Sequence, residues 1–364
     1  MKEPFKLIVW GPGGLGAICI REALRLPDFK LVGVRTYGRA KVGIDAGTLV
    51  GLDPAGILLT DDVDALLALD CDCILYTARD VGTYATDDEI VRILAAGRSI
   101  VTALPYQNMH VARGAEFAEK IQQTCLRNGS VFHATGVDPT LIPDQVMLSL
   151  TGLTNDLRST TLQEFWDTSN NSPETLEVLG FGSPVEVAHN SPAADASARN
   201  FLRQGLYSWA EVMGVTYDRV EFDLSFGVAD RDIELDAMVV RKGTVARATR
   251  RLTGYVGDVP LMAVELNWMI DKSALPPGFE MAVGSHGWLI SIKGHPSVRA
   301  FIEIRADLES DARYMVPGDI HSDPGYNAVV ATMLQSVPFV VRAEPGIFHA
   351  PLPLIHWRPD LRTE

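Results

Sequence analysis

The strongest constraint on the fold is a glycine-rich turn near the start of the chain, GPGGLG, which begins at Gly11. An apolar run at 7–10 precedes it and an amphipathic stretch at 17–26 follows it, which predicts a strand, a turn and a helix. In that context the G-x-G-x-x-G spacing predicts a dinucleotide-binding unit. Gly11 permits the tight turn, Gly13 lets a pyrophosphate approach the backbone, and Gly16 lets the helix pack close to the strand. The alternative is a glycine-rich turn that binds no ligand.

Strand and helix patterns alternate through residues 1–138, which is typical of a doubly wound parallel sheet of the Rossmann type. We predict strands at 7–10, 31–34, 57–59, 73–76, 99–101 and 131–133, with helices that include 87–96 and 113–128. The strands at 7–10 and 73–76 should flank the switch point at which a dinucleotide binds.

Beyond this region, longer strands with alternating apolar and polar residues predict a largely antiparallel sheet with one covered face. These strands are predicted at 160–167, 219–228, 233–240, 244–255, 260–269, 287–293 and 298–304, and helices at 140–150, 193–213 and 325–337. The fold class is therefore α/β, with a Rossmann domain at 1–138 and a second α/β domain at 139–322. The remaining segment, 323–364, should return to the Rossmann domain.

The composition indicates a globular protein with little affinity for polyanions. The chain has 364 residues, 47% of them hydrophobic, and a net charge of −14, which argues against nucleic acid or an anionic membrane as a partner. No apolar run has the length of a membrane span, and the first strand begins too early to leave room for a signal peptide. The four cysteines and eight histidines show no metal-ligand spacing, so we expect buried thiols in a reducing cytoplasm and no metal site.

The end of the second predicted strand indicates which dinucleotide binds. It reads Val34-Arg35-Thr36-Tyr37, with Lys41 shortly after, and has none of the acidic residues that would bind the ribose hydroxyls of NAD. Arg35 can pair with a 2′-phosphate and Thr36 can donate a hydroxyl to it, which favours NADP(H) although NAD stays possible. The alternative is a solvated basic loop.

Several further motifs follow the glycine turn in a recognisable order. They are KVGIDAGTLVGLD at 41–53, TGVDPTLIPD at 135–144 and DPGYNAVVATMLQSVPFVVRAEPGI at 323–347. With the glycine turn, they resemble the dihydrodipicolinate reductase-like superfamily, in particular the branch of 2,4-diaminopentanoate dehydrogenase and the native amine dehydrogenases. The resemblance implies a second domain for substrate binding and dimerisation, and therefore a homodimer. It also implies an NAD(P)-linked reaction that interconverts small amines with carbonyl compounds and ammonia.

The chain departs from that family after the fifth predicted strand. The family's amine dehydrogenases carry a Glu there to hold the ammonium, whereas this chain reads VTALPYQN at 101–108. Tyr106 and Gln107 can hydrogen-bond a substrate but supply no charge. A carbonyl or imine reductase that acts on a neutral substrate therefore stays open, as does a non-catalytic NADP(H) sensor. The histidine pair and lysine of the lysine-pathway reductase are absent, and His286 stands alone in GSHG.

Asp138, in TGVDP, is the best candidate for an acid near the reacting atoms, and its alternative role is a helix N-cap. Glu164 and Asp167 lie on opposite faces of one strand, and we interpret both as strand-end polarity rather than as catalytic groups. The predicted catalytic residues are thus Asp138, Tyr106 and Gln107. The predicted cofactor contacts are Gly11, Gly13, Gly14, Leu15, Gly16, Arg35, Thr36, Tyr37, Lys41, Thr77, Ala78, Arg79, Pro105, Gly136 and Asn327. The predicted substrate contacts are Met147, Trp166, Asn170 and Asn171.

Overall fold

A computed structural model of the chain describes residues 3–78, 86–169, 171, 173–189, 192–270, 275–282, 284–306, 308 and 323–356. Two compact units emerge from its contacts. The first contains residues 1–137 and 326–350, and the second contains residues 138–325 and 351–364.

The first unit is a parallel sheet between two layers of helices. Its strands are β1 (Phe5–Trp10), β2 (Phe29–Arg35), β3 (Cys73–Tyr76), β4 (Ile100–Thr102), β5 (Val131–Ala134) and, from the end of the chain, β14 (Gly346–Ile347). Its helices are α1 (Gly14–Arg25), a 3-10 turn (Arg39–Lys41), α2 (Ala46–Leu49), α3 (Val63–Leu67), α4 (Asp87–Ala95), α5 (Met109–Arg113) and α6 (Ala115–Asn128). The C-terminal helix α11 (Pro324–Val340) also packs in the core of this unit.

The strand order in the described part of this sheet is β14-β5-β4-β3-β1-β2, and all of these pairs are parallel. Leu7 and Val9 face the layer of α1 and α11, while Ile8 and Trp10 face the layer of α4 and α6. All four of these side chains are buried, which explains the continuous apolar run of β1. The doubly wound parallel sheet predicted from the sequence is therefore confirmed. The strands at 7–10 and 73–76 are neighbours in it.

The strand predicted at 57–59 is wrong. Leu58 and Thr60 each form a single isolated bridge, with Asp45 and Arg35 respectively. The Asp45 carboxylate accepts hydrogen bonds from the N–H groups of Ala55 and Gly56 at 2.9 and 2.8 Å, so it fixes the approach to this segment as a turn.

The second unit is built on a mixed sheet. Its strands are β6 (Ser159–Asp167), β7 (Arg219–Val228), β8 (Ile233–Glu234), β9 (Val239–Val240), β10 (Val245–Val256), β11 (Val259–Met269), β12 (His286–Lys293) and β13 (Val298–Ile304). Its helices are a wide π-helical segment (Val137–Met147), α7 (Leu148–Thr151), α8 (Pro173–Val178), α9 (Val185–His189) and α10 (Pro192–Met213).

In the described residues, the large sheet has the order β13-β12-β6-β11-β10-β7. The central pair β6 and β11 is parallel and the other pairs are antiparallel, so the predicted largely antiparallel sheet is confirmed. Helix α10 packs against β10 and β11. This cover explains why one face of these strands is apolar.

One element prediction in this unit is wrong, and another is confirmed with a different kind of helical turn. The strand predicted at 233–240 is a small hairpin of β8 and β9, because Leu235 N–H donates to the Met238 carbonyl and closes a turn. The helix predicted at 140–150 is confirmed, because Asp138 and Pro139 have non-helical backbone and helical turns follow them to Thr151. Its turns up to Met147 are of the wide π type rather than α-helical. Pro143 lies inside it and has no N–H to donate, which is compatible with wider turns but not with a regular α-helical ladder.

Among the described helices, none combines the length and the apolar character that crossing a bilayer requires. The four cysteines are free thiols, and three of them are buried while Cys71 is partly exposed.

Candidate active site

The glycine turn adopts a backbone that only glycine accommodates at two of its positions. Gly11 has φ +101°, and a Cβ there would lie 2.9 Å from the backbone of Ala78. A Cβ on Gly16 would lie 2.0 Å from the Gly11 carbonyl oxygen. These approaches hold the start of α1 against the end of β1, so Gly11 and Gly16 are structural requirements of the turn.

Gly13 differs, because a Cβ built on it meets nothing within 4 Å. Gly13 caps α1, which begins at Gly14, and it gives the helix no side-chain cap. The first N–H groups of α1 therefore lie beside open space at the positive end of the helix dipole. Leu15 packs against the apolar core behind this turn. The residues present thus fit the pyrophosphate of a dinucleotide.

Neighbouring side chains brace the turn from behind. Thr77 Oγ1 donates a hydrogen bond to the Gly11 carbonyl at 2.8 Å, and Ala78 is buried against the same glycine. Lys41 Nζ donates to the Pro12 carbonyl at 3.0 Å, which places its ammonium beside the turn. Thr77 and Ala78 therefore support the backbone of the glycine turn, whereas Lys41 adds a positive charge beside it.

The end of β2 presents a cation that is already ordered. The Arg35 guanidinium lies 4.6 Å from the centre of the half-exposed Tyr37 ring and donates to the Thr36 carbonyl. Thr36 itself is 1% exposed, which argues against our prediction that its hydroxyl reaches a 2′-phosphate. The Tyr37 hydroxyl donates to Glu89, an acid on α4 that the sequence did not connect with this loop.

Tyr106 lies in the core of the first unit. Its ring packs edge-on against Phe132, and its hydroxyl contacts Thr86 at 2.9 Å and donates to Asp87. Because the side chain is 1% exposed and its hydroxyl is already bonded, the structure argues against the predicted hydrogen bond from Tyr106 to a substrate.

Gln107 has a different environment. Its amide nitrogen and oxygen are both buried, and neither has a hydrogen-bond partner in the described part of the chain. Buried amides are normally satisfied, so this one is available to a ligand. Pro105 and Gly136 are buried.

The Asn327 amide accepts from Arg21 Nη2 at 3.5 Å and lines a groove with Phe5. Phe5 begins β1, whereas the glycine turn follows the other end of that strand. This placement argues against cofactor binding by Asn327.

The second unit contains a partly buried pair of carboxyl groups. Glu164 lies on β6, opposite Trp288 of β12 and Leu266 of β11. Asp138 contributes the other carboxyl from the start of the π-helical segment, where its backbone is extended at φ −128° and ψ 132°. The Asp138 carboxyl contacts Glu164 and the Trp288 indole, and its Oδ2 is buried with no partner at hydrogen-bond geometry among the described residues.

Burial is the main influence on both acids. It raises the pKa of Asp138 to about 6, against the opposing contacts of Glu164 and Trp288. It raises the pKa of Glu164 to about 8, and the neighbouring Asp138 raises it further while the indoles of Trp268 and Trp288 oppose the shift. These values describe the titration of the pair, which holds one shared proton near neutral pH. None of the groups that shift these two pKa values is basic.

Aromatic rings surround the pair on the same face of the sheet. Trp166 packs edge-on against Trp268 with ring centres 5.8 Å apart, and lies 5.2 Å from the ring of His286. Burial lowers the pKa of His286 to about 3, so this ring is neutral at pH 7. Its Nε2 lies 3.6 Å from Asp323 Oδ1, which is too long for a hydrogen bond, so we regard the contact as packing rather than as an ion pair.

Asp144 is a third acid of this unit, and it lies within the same π-helical segment as Asp138. Burial raises its pKa to about 7, the charge of Asp138 adds to the shift, and a hydrogen bond from Ser208 at 3.2 Å opposes it. This region therefore contains three carboxyl groups, those of Asp138, Asp144 and Glu164. Repulsion between their negative charges is relieved either when they are protonated or when a cation binds.

The remaining predicted residues of this unit have structural contacts. Asp167 accepts from Ser169 and from the Gly284 N–H at 3.0 Å, so it ties two loops together. Asn171 donates to the Thr168 carbonyl at 3.1 Å within a turn, which argues against substrate binding. Met147 is fully buried.

Arg79 and Asn170 lie outside the described residues. No group of His, Cys, Asp or Glu in the described ranges has the geometry of a metal site.

The pair predicts how stability depends on pH. Raised carboxyl pKa values mean that the folded state binds more protons than the unfolded state between about pH 4 and pH 8, so the contribution of the pair falls as pH rises through this window. The pair should lower the free energy of unfolding by about 1.4 kcal/mol for each pH unit over which the folded state binds one extra proton. The double variant Asp138→Asn with Glu164→Gln should lose this pH dependence. Urea unfolding of the unaltered protein and the double variant at pH 5 and pH 8 measures this difference. The contribution of His286 to the pH dependence cancels, because both proteins contain this residue. Equal slopes would refute the shared proton.

Comparison with known proteins finds that the chain is similar to dehydrogenases. It is 27% identical over 351 residues to an amine dehydrogenase from Streptomyces virginiae, with 94% of each chain covered. It is 23% identical over 360 residues to the 2,4-diaminopentanoate dehydrogenase of Acetoanaerobium sticklandii, covering 95% of this chain and 92% of that one. No family model matches.

Among solved structures, the amine dehydrogenase from Mycobacterium smegmatis superposes with a TM-score of 0.72 at 20% identity, covering 98% of both chains. This likeness shows that the two chains share a fold. The resemblance predicted from the glycine turn and the later motifs is confirmed: the chain is similar over nearly its whole length to the amine dehydrogenase and 2,4-diaminopentanoate dehydrogenase branch.

Proposed function

We propose that the protein is an NADP(H)-dependent amine dehydrogenase, which interconverts a small primary amine with a carbonyl compound and ammonia. The observation that carries this proposal is the Asp138–Glu164 pair. The two carboxyl groups are partly buried and in contact, their pKa values are raised to about 6 and about 8, and none of the groups that shift these values is basic. Such a pair has one negative charge to offer to an ammonium and one acidic proton to exchange with it.

The cofactor assignment rests on the first unit. The open position at Gly13 and the uncapped start of α1 suit a pyrophosphate, and Arg35 with Lys41 supplies positive charge for a 2′-phosphate. When bound, the nicotinamide accepts the hydride from the amine carbon or returns it to the imine carbon.

The pair handles the protons of this reaction. An alkylammonium enters with its charge met by the ionised carboxylate, and it must lose one N–H proton to the pair before its carbon can give up a hydride. The resulting iminium is attacked by water, and ammonium leaves as the carbonyl forms. In the reverse direction the protonated acid returns its proton to nitrogen. A pKa near the working pH allows the same group to act in both directions.

This assignment replaces the acid that is missing after the fifth predicted strand. In that segment, Gln107 offers a neutral amide whose polar atoms have no partner in the described residues. Gln107 therefore favours a second candidate function, a reductase that acts on a neutral carbonyl or imine. The similarity to dehydrogenases argues against the non-catalytic sensor. We also propose that the protein forms a homodimer and acts in the cytoplasm.

The test is the ammonia dependence of NADPH oxidation with a panel of small aldehydes and ketones. The amine dehydrogenase should oxidise NADPH only when ammonium is present, and should reduce NADP+ with the corresponding primary amines. Turnover that is equal with and without ammonium would instead establish the neutral-carbonyl reductase. NADH in place of NADPH should support a lower kcat/KM.

A further inference from the structure

A carboxylate is anchored to the core beside the end of β2. Glu89 Oε2 accepts a hydrogen bond from the Tyr76 hydroxyl at 2.7 Å, and the same oxygen accepts from the Tyr37 hydroxyl. Tyr76 is the last residue of β3 and is fully buried. We call Tyr37, Tyr76 and Glu89 the tyrosine–glutamate array. Its members come from the loop after β2, from β3 and from α4, so it joins that loop to the centre of the sheet.

The array continues to Arg35 through the ring of Tyr37. The guanidinium carbon lies 4.6 Å from the ring centre, which is within cation–π range. One guanidinium nitrogen donates to the Thr36 carbonyl, while Nε is buried and has no hydrogen-bond partner in the described residues. Arg35 is thus held in one orientation by the ring beneath it and by the carbonyl beside it.

Glu89 is an acid beside the predicted phosphate site. A bare carboxylate would repel a 2′-phosphate, but both bonds to this one come from phenols. Burial and Glu89 raise the pKa of Tyr37 well above its usual range, and the same influences, with Tyr37 itself, raise that of Tyr76. Both hydroxyls therefore stay protonated and keep donating at any physiological pH. The hydrogen bonds of the two hydroxyls to Glu89 therefore hold Tyr37 in place.

We propose that the tyrosine–glutamate array is a positioning device that fixes Arg35 for the 2′-phosphate and so sets the preference for the phosphorylated dinucleotide. This inference rests on the NADP(H) assignment of the proposed function. Arg35 carries the charge that recognises the ligand, and the array acts through Arg35 alone. Ordering one long side chain before binding raises affinity by roughly two- to twelvefold.

The experiment separates the 2′-phosphate from the rest of the cofactor. Adenosine 2′,5′-bisphosphate and adenosine 5′-monophosphate are titrated calorimetrically into the full-length protein and its variants. Tyr37→Phe keeps the ring and removes the hydroxyl that binds Glu89, and Glu89→Ala removes the anchor. We expect each to weaken the bisphosphate by roughly three- to tenfold and to change the monophosphate less than twofold. Arg35→Ala should abolish the difference between the two ligands.

A matched control is Tyr255→Phe, because Tyr255 also lies beneath an arginine, with Arg219 at 3.9 Å, but belongs to the second unit. It should leave both affinities unchanged. If the unaltered protein binds both ligands equally, the NADP(H) assignment fails, and this proposal fails with it.

If the unaltered protein prefers the bisphosphate and Tyr37→Phe and Glu89→Ala keep that preference, only the positioning role is overturned. A loss of both ligands in parallel would show a merely structural array. Tighter bisphosphate binding by Glu89→Ala would show that the carboxylate repels the phosphate.

Discussion

Glu164→Gln is expected to lower kcat for amine oxidation by about a hundredfold, the lower range of a general acid–base contribution. The glutamine keeps the size of the side chain and its place opposite Trp288, but it cannot hold the shared proton. Asp138→Asn should have an effect of similar size, since either change breaks the pair. The double variant should be little worse than each single one, because residues that act as a unit are not additive.

Steady-state kinetics with a primary amine and NADP+ over pH 6 to 10 measures this effect. The pH profile of the unaltered enzyme should show the titration of the pair, and the variants should lose it. The matched control is Glu265→Gln on the neighbouring strand β11. Glu265 faces the other side of the sheet, where it accepts from Gln163 at 2.7 Å and from Arg251 at 3.0 Å. Its loss should affect stability more than kcat. An unchanged kcat and pH profile in Glu164→Gln would remove the pair from the mechanism.

Gly13→Val should weaken NADPH binding by at least about a hundredfold, since it puts a branched side chain where the pyrophosphate needs bare backbone. The protein without cofactor should tolerate the change, because a Cβ at Gly13 meets nothing within 4 Å. A poorer helix cap costs it about 1 kcal/mol. Calorimetric titration of NADPH and a thermal melt without ligand measure the two effects.

Gly16→Ala is the opposite case and serves as the control for Gly13→Val. Its Cβ would lie 2.0 Å from the Gly11 carbonyl oxygen, so the turn itself must move. We expect a lower melting temperature together with weaker binding. If Gly13→Val left NADPH affinity intact, the turn would be structural only, and the dinucleotide would have to bind elsewhere.

The regular elements were predictable because their signals are local. The strand at 219–228 has the predicted bounds, since apolar and polar residues alternate along its length. The strand at 298–304 also has the predicted bounds. The glycine turn was predictable for the same reason: spacing and context lie within one short segment. The rule that residues an odd number apart face opposite sides also separates Glu164 from Asp167 correctly.

The carboxyl pair could not be predicted, because it depends on distant packing. Glu164 shares a face with Trp166, and in the sequence an acid at this position indicates only polarity at the end of a strand. Only the pairing of β6 with β11 and β12 surrounds it with indoles and Asp138. No sequence pattern links Glu89 to Tyr37, because the two residues lie 52 positions apart along the chain. Sequence spacing carries no information about such contacts.

The pairing of β14 with β5 has a consequence for how the protein is made. The first unit is assembled from both ends of the chain, because α11 and β14 follow the whole second unit in sequence. While the ribosome is still synthesising the second unit, the outer edge of β5 and the core face that receives α11 have no partner, and both are surfaces that invite aggregation. The first unit therefore reaches its native state only after the segment that interrupts it has been synthesised.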